Sequence, residues 1–147
     1  MATLAQTLVA LAREPDVRPL VRALCACARL QLPAAAAVDP TNTLIVEAAE
    51  AWLAGAPLDA VADRAGDVRG GAFAGACVAV IQAHEAKRIE IAEFFGRQLP
   101  YAVWWMRPGG RQWKARNRAL ETVGSDPQAM TEVAAIEAEL CALITPE

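Results

Sequence analysis

A chain of 147 residues, 55% of them hydrophobic and many of those Ala, is long enough for one sizeable core and favours helices. A net charge of −3 argues against a nucleic-acid-binding protein by overall charge. The longest run without a charged residue, 70–84, is too short to span a bilayer. The first residues lack the basic region of a signal peptide, so we expect a cytoplasmic protein.

The first two predicted helices are separated by Pro15. The first covers 3–13, with Thr3 and Gln6 in the spacing of a capping box. The second covers 16–30, with one face predicted to consist of Leu20, Leu24 and Cys27 and the opposite face of Arg18, Arg22 and Arg29. The following stretch, LPAAAAVDP, is predicted to be a connection.

Asp39 and Pro40 predict the start of a third helix, because they supply a capping carboxylate followed by proline at the first helical position. This helix is predicted to end at Ala54, where Gly55 follows as a stop signal. Its predicted inner face consists of Leu44, Ala48, Ala51 and Trp52.

The middle of the chain predicts a short helix between Pro57 and Gly66, and then a long helix over 67–98. The first half of the long helix is apolar on all sides, which is typical of a buried helix. Leu99 and Pro100 are predicted to begin a separate, short aromatic helix that ends at Met106.

The C-terminal part predicts a turn over 107–110, a helix over 111–123 and a last helix that begins at a Ser125 cap and ends at Ile144. The predicted apolar stripe of the last helix is Met130, Val133, Ile136, Leu140 and Leu143. No segment alternates with the period of a strand. We therefore predict an all-α fold: a single compact domain over 1–147, with about six to eight helices in a layered bundle and no sheet.

The residues that usually carry enzyme chemistry are few. The only histidine, His84, is predicted to lie in a helix at the boundary of the core, and Arg88 stands where a zinc-protease motif needs a second histidine. The four cysteines include no Cys-x-x-Cys pair, and we expect buried, reduced thiols. Paired carboxylates such as Glu47 and Glu50 are typical of a solvated helix face. We predict a protein that is not an enzyme and holds no metal or cofactor.

The stretch that stands out is 94–118, which we call the basic aromatic segment. It contains six basic residues, no acidic one and three of the four tryptophans. The remainder of the chain has eight basic and 17 acidic residues, so a cationic segment lies within an anionic protein.

Helical spacing divides this segment. Trp113 falls on the apolar face of the predicted helix 111–123, and most of its cations fall on the opposite face. Trp104 and Trp105 are adjacent, so they point about 100° apart and we expect one of them to be partly exposed near Arg107. The predicted binding residues are Trp104, Trp105, Arg107, Arg111, Lys114 and Arg118.

Three interpretations of the segment remain open. Trp, Tyr and Arg dominate interface energies, which favours a module that binds an acidic protein partner or a second copy of the chain. The same residues also fit nucleic acid, with phosphates on the cations and a base stacked on an exposed Trp. The third interpretation places the tryptophans in the core and the cations in solvent.

One stretch elsewhere carries a resemblance. The sequence VEAAEAWLAGAP, residues 46–57, resembles part of Ala-rich helical immunity proteins of bacterial toxin systems. It covers under a tenth of the chain. The resemblance implies toxin neutralisation, which is a special case of binding a protein partner.

Overall fold

The computed structural model describes residues 3–58, 72–82, 84–106 and 127–144. Within these ranges the chain forms six α-helices and no strand, which confirms the predicted all-α class. The helices are α1 Leu4–Ala12, α2 Arg18–Val38, α3 Thr41–Leu53, α4 Ala72–Gln82, α5 Glu85–Met106 and α6 Pro127–Ile144. None of the described helices is both long and apolar enough to cross a membrane. The predicted helices after Pro57 and over 111–123 fall on residues outside the described ranges.

Helix α2 is the central element, because it contacts each of the other described helices. On one side it packs against α3 and α4, which also contact each other. On the other side lie α1, α5 and α6, which pack against one another, and α1 with α5 is the most extensive pair. All six helices contribute fully or almost fully buried side chains to one core, among them Leu8, Leu24, Ile45, Val78, Leu99 and Ile136.

The start of α1 confirms the predicted capping box. The Gln6 amide donates to the Thr3 hydroxyl at 3.1 Å, and the Thr3 amide donates to Gln6 Oε1 at 2.9 Å. Two amides that the helix leaves without an internal partner are thereby satisfied. Leu4 and Leu8 are fully buried, and Leu11 is partly buried against the core.

Helix α2 confirms its predicted faces but not its predicted end. Its leucines at 20 and 24 are fully buried, while its arginines are exposed. The prediction of a connection after Leu30 is wrong, because the helix continues through Pro33 to Val38. Leu32 lies in the core just before the proline, and the four Ala residues after it are strong helix formers. Both features oppose the break that proline favours.

Helix α3 begins and ends within one residue of the predicted bounds but has a different inner face. Asp39 Oδ1 accepts a hydrogen bond from the Thr41 amide at 3.0 Å. At the other end Gly55 has φ 106°, and the Ala56 amide donates to the Ala51 carbonyl at 2.9 Å, which forms a Schellman stop.

The predicted inner face of α3 is rotated by about one position. Leu44 is 49% exposed and Ala51 is exposed, whereas the fully buried residues are Ile45, Val46, Ala49 and Asn42. Alanine fits either face of a helix, so the Ala positions did not define its orientation. The branched pair Ile45–Val46 takes the core instead.

The predicted long helix 67–98 is wrong in two respects. The described chain forms two helices here, α4 and α5, in place of one. His84 is exposed and lies immediately before α5. Its carbonyl accepts a hydrogen bond from the Arg88 amide at 2.9 Å. His84 is therefore not a helix residue at the core boundary. At its other end α5 continues through Pro100 to Met106, so the separate aromatic helix does not exist.

Helix α6 ends at Ile144 as predicted. Val133, Ile136 and Leu140 of its predicted stripe are buried. The stripe is wrong at both ends, because Met130 is 37% and Leu143 is 54% exposed.

Candidate binding surface on helix α5

One face of α5 is fixed against the core by small and apolar residues. Ala92 and Leu99 are fully buried, and Gly96 lies so close to α1 that an added Cβ would overlap the backbone of Ala5. This close contact holds α5 beside α1 on the N-terminal side of Pro100 and defines which way the helix faces.

The opposite face of α5 carries an exposed aromatic side chain. Phe94 is 53% exposed, and its ring meets Phe95 edge to face with the ring centroids 5.2 Å apart. Phe95 is partly buried and packs against the core. Phe94, the first residue of the basic aromatic segment, is thus half exposed and contacts a ring that packs against the core.

The continuity of α5 sets the register of the residues that follow. Eleven residues make three helical turns plus about 20°, so position 105 lies on the same helix face as Phe94. Position 104 lies about 80° away from that face. Trp104 and Trp105 therefore occupy different faces of one helix, and their side chains lie outside the described part of the structure.

The other predicted binding residues, Arg107, Arg111, Lys114 and Arg118, lie outside the described ranges, and so does Trp113. The first cation of the segment is Arg97, which is described. Its Nη2 lies 3.4 Å from Glu93 Oε1, in an exposed pair within α5. Glu93 precedes the segment, so the segment itself supplies no acid to its cations.

A groove that sequence reasoning missed lies along one flank of α5. It is bounded by α1, α5 and α6 and has a volume of about 880 Å³. Apolar residues such as Val9 and Val133 line it together with two arginines and two glutamates, Arg13, Arg97, Glu93 and Glu137. The formal charges of these four side chains cancel.

A second charged surface lies between α2 and α3. The Arg29 guanidinium donates to both carboxylate oxygens of Glu50, and this contact raises the pKa of Arg29. Arg18 lies over the ring of Trp52, 5.9 Å from the centroid. Trp52, the tryptophan outside the basic aromatic segment, is thus partly buried and covered by an arginine of its own chain.

None of the four cysteines forms a disulfide; Cys25, Cys27 and Cys77 are buried as predicted, whereas Cys141 is only partly buried. Burial raises the pKa of Cys27 to about 12. Pairing with Cys77 lowers the pKa of Cys25, and pairing with Cys25 together with burial raises the pKa of Cys77. The described residues include no group of three or more His, Cys, Asp or Glu placed to hold a metal ion.

Comparison of the chain with protein-family models, with curated proteins and with solved structures finds no significant match. The function of the chain is therefore inferred from its residues and their arrangement.

Proposed function

We propose that this chain is a non-enzymatic helical interaction module that binds an acidic protein partner through the basic aromatic segment 94–118. The observation that carries the proposal is the unbroken course of α5. It places position 105 on the same face as the half-exposed Phe94, about 16 Å further along the helix axis. We call the face of α5 from Phe94 to position 105 the binding strip. With an aromatic residue at each end, it is a suitable anchor for a partner.

The chemistry of the strip favours protein as the ligand. Aromatic residues and Arg supply most of the binding energy in protein interfaces. Covering the exposed half of the Phe94 ring contributes on the order of 1–2 kcal/mol. The six basic residues and the absence of acids in the segment favour a partner that presents carboxylates.

The remainder of this chain is itself a source of carboxylates. It has 17 acidic and eight basic residues, so a second copy is one acidic partner that the segment fits by charge. A toxin with an acidic surface is another, in line with the resemblance of residues 46–57. Nucleic acid is the competing ligand class, and the anionic remainder of the chain opposes it.

The test is fluorescence anisotropy with a labelled acidic peptide of alternating Glu and Leu, and with a labelled single-stranded DNA of equal charge. We expect saturable peptide binding that weakens at least tenfold in Phe94→Ala and in Trp105→Ala. Arg111→Glu is expected to weaken it further. Leu143→Ala is the matched control, because Leu143 on α6 is 54% exposed and lies outside the segment.

Two results would contradict the proposal. The first is an equal loss of affinity in Leu143→Ala and Phe94→Ala, which would show nonspecific adhesion to apolar surface. The second is tighter binding of the DNA with a steep salt dependence, which would assign the segment to nucleic acid. Sedimentation velocity over a range of protein concentrations identifies a second copy as the partner. Urea unfolding of each variant shows that the fold is retained.

A further inference from the structure

The groove between α1, α5 and α6 is open because many of the side chains along it are small. Its lining includes three alanines and a glycine, Ala5, Ala10, Gly96 and Ala134. Gly96 and Ala5 lie in close contact, so α1 and α5 meet at that side of the groove. A volume of about 880 Å³ lies in the upper part of the range of about 300–1,000 Å³ that is typical of ligand sites. The groove can therefore hold a ligand of several residues.

Two charged side chains of the groove form no ion pair with another described residue. They are Arg13 on α1, which is exposed, and Glu137 on α6, which is partly buried. The other two charges of the groove, Arg97 and Glu93, pair with each other. A ligand that carries one carboxylate and one ammonium or guanidinium group would complement both unpaired charges.

The length of the groove fits a peptide. Along α1 the groove extends from Thr3 to Arg13, which corresponds to a helical rise of about 15 Å. An extended peptide advances about 3.3 Å per residue, so about four or five residues cover this distance. Gln98 on α5 lines the same groove, and its amide can donate to and accept from a peptide backbone.

We propose that the groove is a second binding site, which holds a short extended peptide with aliphatic side chains between one acidic and one basic residue. The acidic residue pairs with Arg13 and the basic residue with Glu137. The aliphatic side chains contact Val133 and Met130, and Met130 is 37% exposed and unbranched, so it adapts to the side chain that enters. The site is separate from the binding strip, because Phe94 does not line the groove.

The probe is the peptide Lys-Ala-Leu-Ala-Glu, acetylated and amidated so that its ends are uncharged. Its affinity is measured by NMR titration of the ¹⁵N-labelled full-length protein. Ala134→Trp places a large ring in the groove and is expected to weaken binding at least tenfold. Ala135→Trp is the matched control, because Ala135 is exposed on the same helix and does not line the groove. Phe94→Ala is expected to retain full binding.

Substitutions in both the protein and the peptide test each charge pair. Glu137→Gln is expected to weaken binding of the probe about two- to fivefold, which is the range for an exposed ion pair. The same variant should not change the binding of a peptide with Gln in place of Lys, because the pair is already absent there. Arg13→Gln should behave in the same way toward a peptide with Gln in place of Glu.

Four results would overturn the proposal. The wild-type protein does not bind the probe, or Ala135→Trp or Phe94→Ala weakens binding as much as Ala134→Trp does. A third is that each charge variant weakens binding of the probe and of the matching neutral peptide alike. The fourth is that the protein alone self-associates in sedimentation velocity and only Ala134→Trp abolishes this, which would assign the groove to a second copy. Circular dichroism shows whether each variant is folded, and the charge variants still test the proposal if Ala134→Trp is not.

Discussion

Replacing Gly96 with alanine tests the close contact between α5 and α1. A Cβ at this position would overlap the Cα and the amide nitrogen of Ala5, which are backbone atoms. No change of rotamer relieves such an overlap, so α1 and α5 must move apart. These helices form the most extensive pair in the core, and the shift therefore loosens many contacts at once.

The expected magnitude is the difference between two opposing effects. Alanine in place of glycine within a helix stabilises the fold by about 0.5–1 kcal/mol. Overpacking a core costs about 1–3 kcal/mol, and obstruction by backbone places this site toward the upper end. We expect Gly96→Ala to lower the free energy of unfolding by about 1–2 kcal/mol, which corresponds to roughly 2–8 °C in the unfolding midpoint.

Urea unfolding followed by circular dichroism measures this change, with an unaltered m-value showing that the same surface is exposed. Ala135→Gly is the control, because Ala135 is exposed in the middle of α6 and reports the helix-propensity effect of a helix interior. If Gly96→Ala instead raises the free energy of unfolding by the amount that Ala135→Gly lowers it, the close contact between α1 and α5 is refuted.

Two further predictions concern the ends and the interior of the bundle. Thr3→Ala removes the hydroxyl that accepts a hydrogen bond from the Gln6 amide, and it is expected to lower the free energy of unfolding by about 1 kcal/mol in a urea titration. Thr3→Ser keeps a hydroxyl at this position and is expected to retain most of that free energy. Burial raises the pKa of Cys27 from 9.0 to about 12, so above pH 9 the unfolded chain releases a proton that the folded chain keeps. The free energy of unfolding should therefore fall between about pH 9 and 12, with Cys27 contributing up to about 1.4 kcal/mol per pH unit. Cys27→Ala should show a shallower alkaline decline, and an identical decline would contradict the assignment.

Signals that act over a few residues predicted local structure well. Hydrogen bonds within one helical turn form the start of α1 at Thr3 and Gln6 and the start of α3 at Asp39 and Thr41. Hydrogen bonds of the same short range form the end of α3 around Gly55. Their outcome depends little on the rest of the fold. The ends of α3 and the start of α1 were therefore predictable from sequence alone.

Signals that compete with tertiary packing misled the prediction. Proline favours a break at both position 33 and position 100, yet each proline lies next to a residue buried in the core, Leu32 and Leu99 respectively. The break before α5 carries neither glycine nor proline at 83–84, so sequence offered no reason to place it there.

Both the sequence and the tertiary packing are needed to identify the candidate binding strip. Its residue types, aromatic rings and cations without acids, are evident in the sequence. Their alignment is not, because a helix boundary at Leu99 would leave the orientation of position 105 independent of Phe94. Pro100 has no amide hydrogen to donate to the carbonyl of Gly96, four residues earlier, so α5 lacks one hydrogen bond beside its close contact with α1. Packing of Gly96 against Ala5 and burial of Leu99 hold α5 in place beside that missing bond, and through them the core brings Phe94 and position 105 onto one face.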